Sequence, residues 1–178
     1  MRVIAGRWGG RRLQAPRGDA TRPTSDRVRE ALFSILGARV DGARVLDLFA
    51  GSGALGIEAL SRGAAEVTFV DSAAAAIGAL RANLQALGAE AECRRQDARR
   101  FLADASGAAR EYDLVFLDPP YRLAGRLGGE LSDLLPAVLA QGATVVTESD
   151  RRSPLDLELP LTQERRYGDT LIRIHDPR

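Results

Sequence analysis

Asp118-Pro119-Pro120-Tyr121 sets a carboxylate, two prolines and an aromatic ring in consecutive positions. An ionised carboxylate only accepts hydrogen bonds. Each proline fixes φ near about −65° and removes a backbone donor, so the segment is stiff and its carbonyls add acceptors. An exocyclic NH2 on a flat ring is matched by such acceptors, and Tyr121 offers a face on which the ring can stack. The plainer reading of the same residues is a strand that ends in a Pro-Pro turn beside a packed tyrosine.

A second group with chemistry is Asp47-Leu48-Phe49-Ala50-Gly51-Ser52-Gly53-Ala54-Leu55-Gly56, which contains G-x-G-x-x-G at Gly51, Gly53 and Gly56. Alone, that spacing suggests a dinucleotide loop, with Asp71, about 20 residues past the first glycine, on ribose hydroxyls. Asp47 argues against a nicotinamide cofactor, because a carboxylate beside the ligand repels a pyrophosphate and attracts a cationic amino-acid moiety. S-adenosylmethionine has that moiety and no phosphate, and the glycines then serve close backbone approach. Asp97 is placed to accept from an adenine amine while Ala98 contributes a backbone donor. The expected cofactor site is therefore Asp47, Phe49, Ala50, Gly51, Ser52, Gly53, Gly56, Asp71, Ser72, Asp97 and Ala98.

To bring these groups together, the chain must alternate strands and helices. Strand patterns occur at Arg44-Val45-Leu46-Asp47-Leu48-Phe49, Glu66-Val67-Thr68-Phe69-Val70-Asp71, residues 91–96, Tyr112-Asp113-Leu114-Val115-Phe116-Leu117 and Ala143-Thr144-Val145-Val146-Thr147-Glu148. Asp47, Asp71, Asp97 and Asp118 then all stand at carboxyl ends of strands, where open α/β sheets bind ligands. Helical spacing covers 73–87, stopped by Gly88, and 127–139, where Pro136 kinks or splits the helix. Alternation at 155–159 and in Thr170-Leu171-Ile172-Arg173-Ile174, around the turn Tyr167-Gly168-Asp169, predicts a terminal antiparallel hairpin. At the start, Arg2-Val3-Ile4 and Arg11-Arg12-Leu13 flank glycines and Trp8 as a small basic hairpin. Thr24-Ser25-Asp26 caps a helix with Val28, Ala31, Leu32, Ile35 and Leu36 inward. Residues 17–23, 106–110 and 122–129 read as flexible. The expected fold is α/β and Rossmann-like: a mostly parallel seven-stranded sheet with helices on both faces, an antiparallel C-terminal hairpin and a small basic N-terminal extension.

With 178 residues, 45% hydrophobic and 28% charged, the chain reads as one soluble globular domain, with a basic extension at 1–40 and a core at 41–178. No apolar run approaches the ~18 residues of a membrane span, and the first residues lack the apolar stretch of a signal peptide. A single cysteine, Cys93, fits a reducing cytoplasm and reads as a strand residue. Metal binding is not expected, and a monomer is the default. The net charge of +1 conceals an asymmetry, because residues 1–30 hold eight arginines against three acids. All 25 basic residues are arginine, the side chain that grips phosphate bidentately and stacks on bases. A solvated arm without a partner is the bland alternative.

The chain resembles the class I S-adenosylmethionine-dependent methyltransferases and, within them, the RsmD family of 16S rRNA (guanine-N2) methyltransferases. The resemblance runs over nearly the whole chain. Arg2-Val3-Ile4-Ala5-Gly6, Gly10-Arg11-Arg12-Leu13 and Arg22-Pro23-Thr24-Ser25-Asp26-Arg27-Val28-Arg29-Glu30-Ala31-Leu32-Phe33 are similar to its N-terminal signature. Asp47 to Gly56, with Leu60-Ser61-Arg62-Gly63-Ala64, is similar to its cofactor loop and first helix, and Asp118 to Tyr121 to its amino-methylation motif. Ser72-Ala73-Ala74-Ala75-Ala76 is blander than the family pattern beside the ribose, and Asp118 stands where many amino methyltransferases carry Asn. The resemblance implies methyl transfer to N2 of a guanine, position 966 of 16S rRNA, in the 30S subunit or an assembly intermediate. Asp118, Pro119, Pro120 and Tyr121 would be catalytic. Arg7, Trp8, Arg11, Arg12, Arg22, Arg27 and Arg29 would dock RNA, Trp8 by stacking if it does not simply pack. Three alternatives remain open: adenine-N6 methylation of DNA or RNA, an NAD-dependent oxidoreductase, and a non-catalytic RNA-binding protein.

Overall fold

The computed structural model describes residues 1–16 and 25–177; Arg22 and the expected loop at 17–23 lie outside them. Seven strands form one sheet: β1 (Arg44–Leu48), β2 (Glu66–Asp71), β3 (Glu92–Arg95), β4 (Tyr112–Leu117), β5 (Leu139–Asp150), β6 (Leu161–Tyr167) and β7 (Thr170–His175). Their order is β3-β2-β1-β4-β5-β7-β6. The first five are parallel, and β7 runs antiparallel to β5 and to β6. The chain leaves β1 toward β2 on one side and later returns to lay β4 on the other. The crevice beyond the ends of β1 and β4 is thus the topological switch point where such sheets take ligands.

Helices α1 (Asp26–Leu36), α2 (Ala54–Ser61), α3 (Ala74–Leu87), α4 (Ala98–Gly107) and α5 (Tyr121–Leu134) cover the two faces. Period-2 alternation along the strands divides the core. Val45, Phe69, Leu114, Phe116 and Val146 meet Leu32, Phe33, Ile57 and Leu80 on one face. Leu46, Leu48, Val115 and Leu117 meet Phe101, Leu102, Leu131 and Leu135 on the other. Each fully buried Leu or Phe contributes about 1.5–3 kcal/mol. Ser25 caps α1 by accepting from Val28 N, and Gly88, left-handed at φ 63°, ends α3. No helix among the described residues is long and apolar enough to cross a membrane.

Three expectations are corrected. Residues 155–159 are not a strand: the hairpin is β6 with β7, and the earlier alternation is used to press Leu155 and its neighbours against α5. There a Cβ on Gly128 would sit 2.1 Å from the Asp156 carbonyl oxygen, and Ser132 Oγ accepts from Glu158 N. The last helix begins at Tyr121, not 127, so 122–129 is helical; Pro136 confines the irregularity to a 3-10 turn at Leu135–Val138. Helix α4 reaches Gly107, into the segment 106–110 read as flexible.

Candidate active site

The loop after β1 turns on unusual backbone. Phe49 has φ 94°, rare for a residue with a Cβ, and Gly51 and Gly53 have φ 55° and 82°. Side chains hold this shape: Asp47 Oδ2 accepts from Gly56 N at 2.8 Å, and Asp71 accepts from Gly51 N at 2.9 Å and Ala73 N at 2.8 Å. A Cβ on Gly56 would lie 2.3 Å from the Phe69 ring, so the third glycine serves helix–strand packing. Strain held at a loop in a ligand crevice is a feature of functional sites.

Register aligns the acidic residues. Asp47 pairs with Phe116 and Phe116 with Val146; two residues further along, Asp118 and Glu148 therefore point to the same side of the sheet as Asp47. Asp47 is 2% exposed and Glu148 is buried. Burial first, opposed by the Gly56 hydrogen bond and aided by Asp71, lifts the Asp47 carboxyl to about 7. Burial, then Glu148 and Asp47, raise Asp118 well above the carboxylate range. Glu148 was not among the expected site residues although it closes the strand pattern at 143–148; β5 itself continues to Asp150, and comparing the acidic ends of the expected strands would have found it.

Pro120 precedes α5, and its carbonyl accepts from Leu123 N at 2.8 Å. The Pro119 carbonyl, next to Asp118, has no backbone donor among the described residues. Tyr121, 38% exposed, opens the helix at this edge. Asp97 caps α4 by accepting from Arg99 N and Arg100 N and pairs with the Arg99 guanidinium. The donor set suits a ligand carrying positive charge, ribose hydroxyls and an adenine amine: carboxylates end β1, β2, β3 and β4, and the loop itself contains no basic side chain. S-adenosylmethionine fits it.

The N-terminal hairpin is seated on this region. Met1, Val3, Arg11 and Leu13 pair across it. Buried Glu58 on α2 accepts from Ile4 N at 2.7 Å and Ala5 N at 3.1 Å, and Ser61 Oγ accepts from Trp8 N and donates to Ala5 O. Asn83 on α3, also buried, bridges hairpin and loop. Its Nδ2 donates to Gln14 O and Ser52 O, both at 3.0 Å, and its Oδ1 accepts from Gln14 N at 2.8 Å. Neither Glu58 nor Asn83 was legible as functional, since each reads as one polar residue on a helix.

The seven expected RNA contacts fare unequally. Arg7, Arg12 and Arg27 are exposed. Arg11 donates to Ala86 O. Trp8 is half-buried against the core with Arg7 over its ring at 5.3 Å. Arg29 is a correction: it is 0% exposed, donates to Arg2 O and Asp26 Oδ1, and clamps α1 to the hairpin because its helical position faces the sheet. Cys93 lies in β3, and burial raises its thiol. His175 is buried and hydrogen-bonded to Leu159 O, a packing role.

Residues 1–176 match the family model described as Conserved hypothetical protein 95. The chain is 40% identical to "Putative rRNA methyltransferase YlbH" of Bacillus subtilis, over 100% of both chains. It is 45% identical to "Ribosomal RNA small subunit methyltransferase D" of Escherichia coli K12, over 68% of this chain and 61% of that protein. The solved structure "Putative methyltransferase yhhF from Escherichia coli" superposes with TM-score 0.86 at 38% identity, over 99% of this chain and 97% of that one. A Thermus thermophilus 16S rRNA N2 G1207 methyltransferase in complex with AdoMet and guanosine shares the fold, with TM-score 0.70 at 23% identity over 89% of this chain and 45% of that one.

Proposed function

This chain belongs to the RsmD family of S-adenosylmethionine-dependent rRNA methyltransferases, and from that premise we propose that it methylates the exocyclic N2 amine of a guanine in 16S rRNA. The target is position 966, presented by the small ribosomal subunit or its assembly intermediate. The observation that carries this reading is the placement of Asp118 and the Pro119 carbonyl as acceptors at the switch point, one strand from the loop after β1. In this reading residues 1–40 are a docking extension on a catalytic core, 41–178, working as a cytoplasmic monomer.

Asp71 and Asp97 would hold the ribose and adenine of S-adenosylmethionine, Phe49 to Gly53 its methionine part, and Ser72 and Ala98 would flank it. Bound there, the cofactor supplies a methyl group activated by its sulfonium. A guanine leaves its stack at a cost of a few kcal/mol, and stacking on Tyr121 offsets about 1–3 kcal/mol. Asp118 and the Pro119 carbonyl accept the two amine hydrogens and turn the nitrogen lone pair toward the incoming carbon. Pro120 keeps the segment stiff. As positive charge develops on nitrogen, the ionised Asp118 carboxylate stabilises it. The methylated amine sheds its proton easily, so no histidine base is needed. Asp47, bonded to Gly56 N, holds the loop in shape.

Arg7, Arg11, Arg12, Arg22 and Arg27 would meet RNA phosphates. The test is incubation with labelled S-adenosylmethionine and undermethylated 30S particles, naked 16S rRNA or DNA, followed by nucleoside analysis. N2-methylguanosine from the particle is expected; N6-methyladenine would overturn the reading.

A further inference from the structure

Many arginines of the core are neutralised: Arg44 by Asp113, Arg62 by Glu58, Arg99 by Asp97 and Glu130, Arg110 by Glu92, Arg173 by Asp156 and Glu164. Arg122 and Arg126 differ. Both are exposed, and neither makes an ion pair or hydrogen bond among the described residues. Four apart on α5, they project from one side of the helix a single turn from each other, an arrangement of like charges that weakens a helix unless something offsets it. Glu130, the acid one turn beyond Arg126, instead reaches Arg99 at 2.9 Å.

The surface around them is equally unusual. Of the three exposed large hydrophobic side chains among the described residues, two are Tyr121 and Leu123, each 38% exposed. The opposite side of α5 is fixed, with Ala124, Gly128, Leu131 and Ser132 buried, so the outward arginines stand on a seated helix. That helix starts directly after Pro120. By contrast, the tip of the N-terminal hairpin is tied to Ser61, at the far end of α2 from the loop, about 12 Å along an eight-residue helix. The hairpin lies on one face of the sheet and α5 on the other.

We infer that the first two turns of α5 are a docking surface for single-stranded RNA, Arg122 and Arg126 contacting phosphates flanking the modified base and Leu123 packing on a neighbouring base. This rests on the rRNA reading above and extends it: the substrate straddles the C-terminal edge of the sheet, held by the hairpin side on one face and α5 on the other. Phosphates satisfy both unpaired guanidinium groups and screen their mutual repulsion.

The full chain and its Arg122→Ala/Arg126→Ala double variant are titrated with a short guanine-containing single-stranded RNA and with undermethylated 30S particles over a range of salt, alongside calorimetry with S-adenosylhomocysteine and thermal melts. The salt slope is expected to fall by about 1.4, two contacts at ~0.7 each on a single strand. RNA affinity at low salt should fall ~10-fold or more, with cofactor affinity and melting unchanged. The Arg122→Lys/Arg126→Lys variant should restore the slope. An unchanged slope in a protein that binds RNA overturns the α5 surface alone. No binding of the short RNA by an unaltered chain that binds the particles overturns the α5 surface alone, and no binding of either overturns the rRNA reading and this surface together. Loss of binding confined to assembled particles assigns α5 to a ribosomal protein and overturns the RNA assignment.

Discussion

Asp118 is acid in type but sits where acidity is suppressed, because burial, Glu148 and Asp47 all favour its protonated form. In the proposed transfer the ionised form is the acceptor, so kcat/KM should rise with pH through an apparent pKa above the ordinary carboxylate range. A rate profile flat down to pH 5 would contradict this. Asp118→Ala should abolish transfer while cofactor affinity stays within a few fold. Asp118→Asn, which keeps an accepting oxygen, should retain measurable transfer and lose the acidic limb. Gly6 makes a different demand. Its φ is 79°, and a Cβ there would lie 1.8 Å from the Ser61 carbonyl oxygen. Gly6→Ala should destabilise the chain by about 2 kcal/mol or more in denaturant melts. Gly9→Ala, whose Cβ meets nothing nearer than 3.4 Å, should cost far less; equal losses would mean that the close approach is not what matters.

Elements do what single residues cannot: α2 and α3 flank the glycine loop after β1 and carry the polar groups that seat the hairpin. Asn83 alone bonds to Gln14 and to Ser52. Its removal strands the buried Ser52 carbonyl, at about 1–3 kcal/mol, and frees two part-buried Gln14 backbone groups. Asn83→Ala should therefore lower S-adenosylhomocysteine affinity about tenfold, an order of magnitude matching ~1.4 kcal/mol, and speed amide exchange at 50–53. Unchanged exchange there would detach Asn83 from the loop. The strand ends, the Gly88 stop and the Ser25 cap were legible because periodicity and caps are local signals. The start of α5 was not, since Gly125, Gly128 and Gly129 depress helix propensity; close packing of Gly128 on Asp156 overrides it. Residues 155–159 alternate like a strand for a comparable reason, since burial of Leu155 against a helix needs the same pattern as burial against a sheet.

At the scale of the whole molecule, stacking Asp47, Asp118 and Glu148 under one cleft has a stability cost that depends on pH. Below about 3.8 the folded and unfolded chains both hold the Asp47 proton. Between that value and about 7 only the folded chain does, so stability falls as pH rises through this window. Asp47→Asn should thus melt higher than the unaltered chain at pH 8, by up to roughly 4 kcal/mol for three pKa units, and the advantage should vanish near pH 4. Equal melting at both pH values would show that Asp47 is not buried as a carboxylic acid. The amino-acid sequence by itself determined the fold class, the glycine loop after β1 and the strand-end position of Asp118-Pro119-Pro120-Tyr121, because each is written in contiguous residues whose period or spacing acts locally. Only the tertiary structure decided which charges are spent on the fold and which remain for a ligand. Arg29 and Glu58 are engaged by the hairpin, while Arg122 and Arg126 have no partner among the described residues. That division depends on which groups, distant in sequence, come within hydrogen-bond reach once burial sets the cost of leaving a charge unpaired.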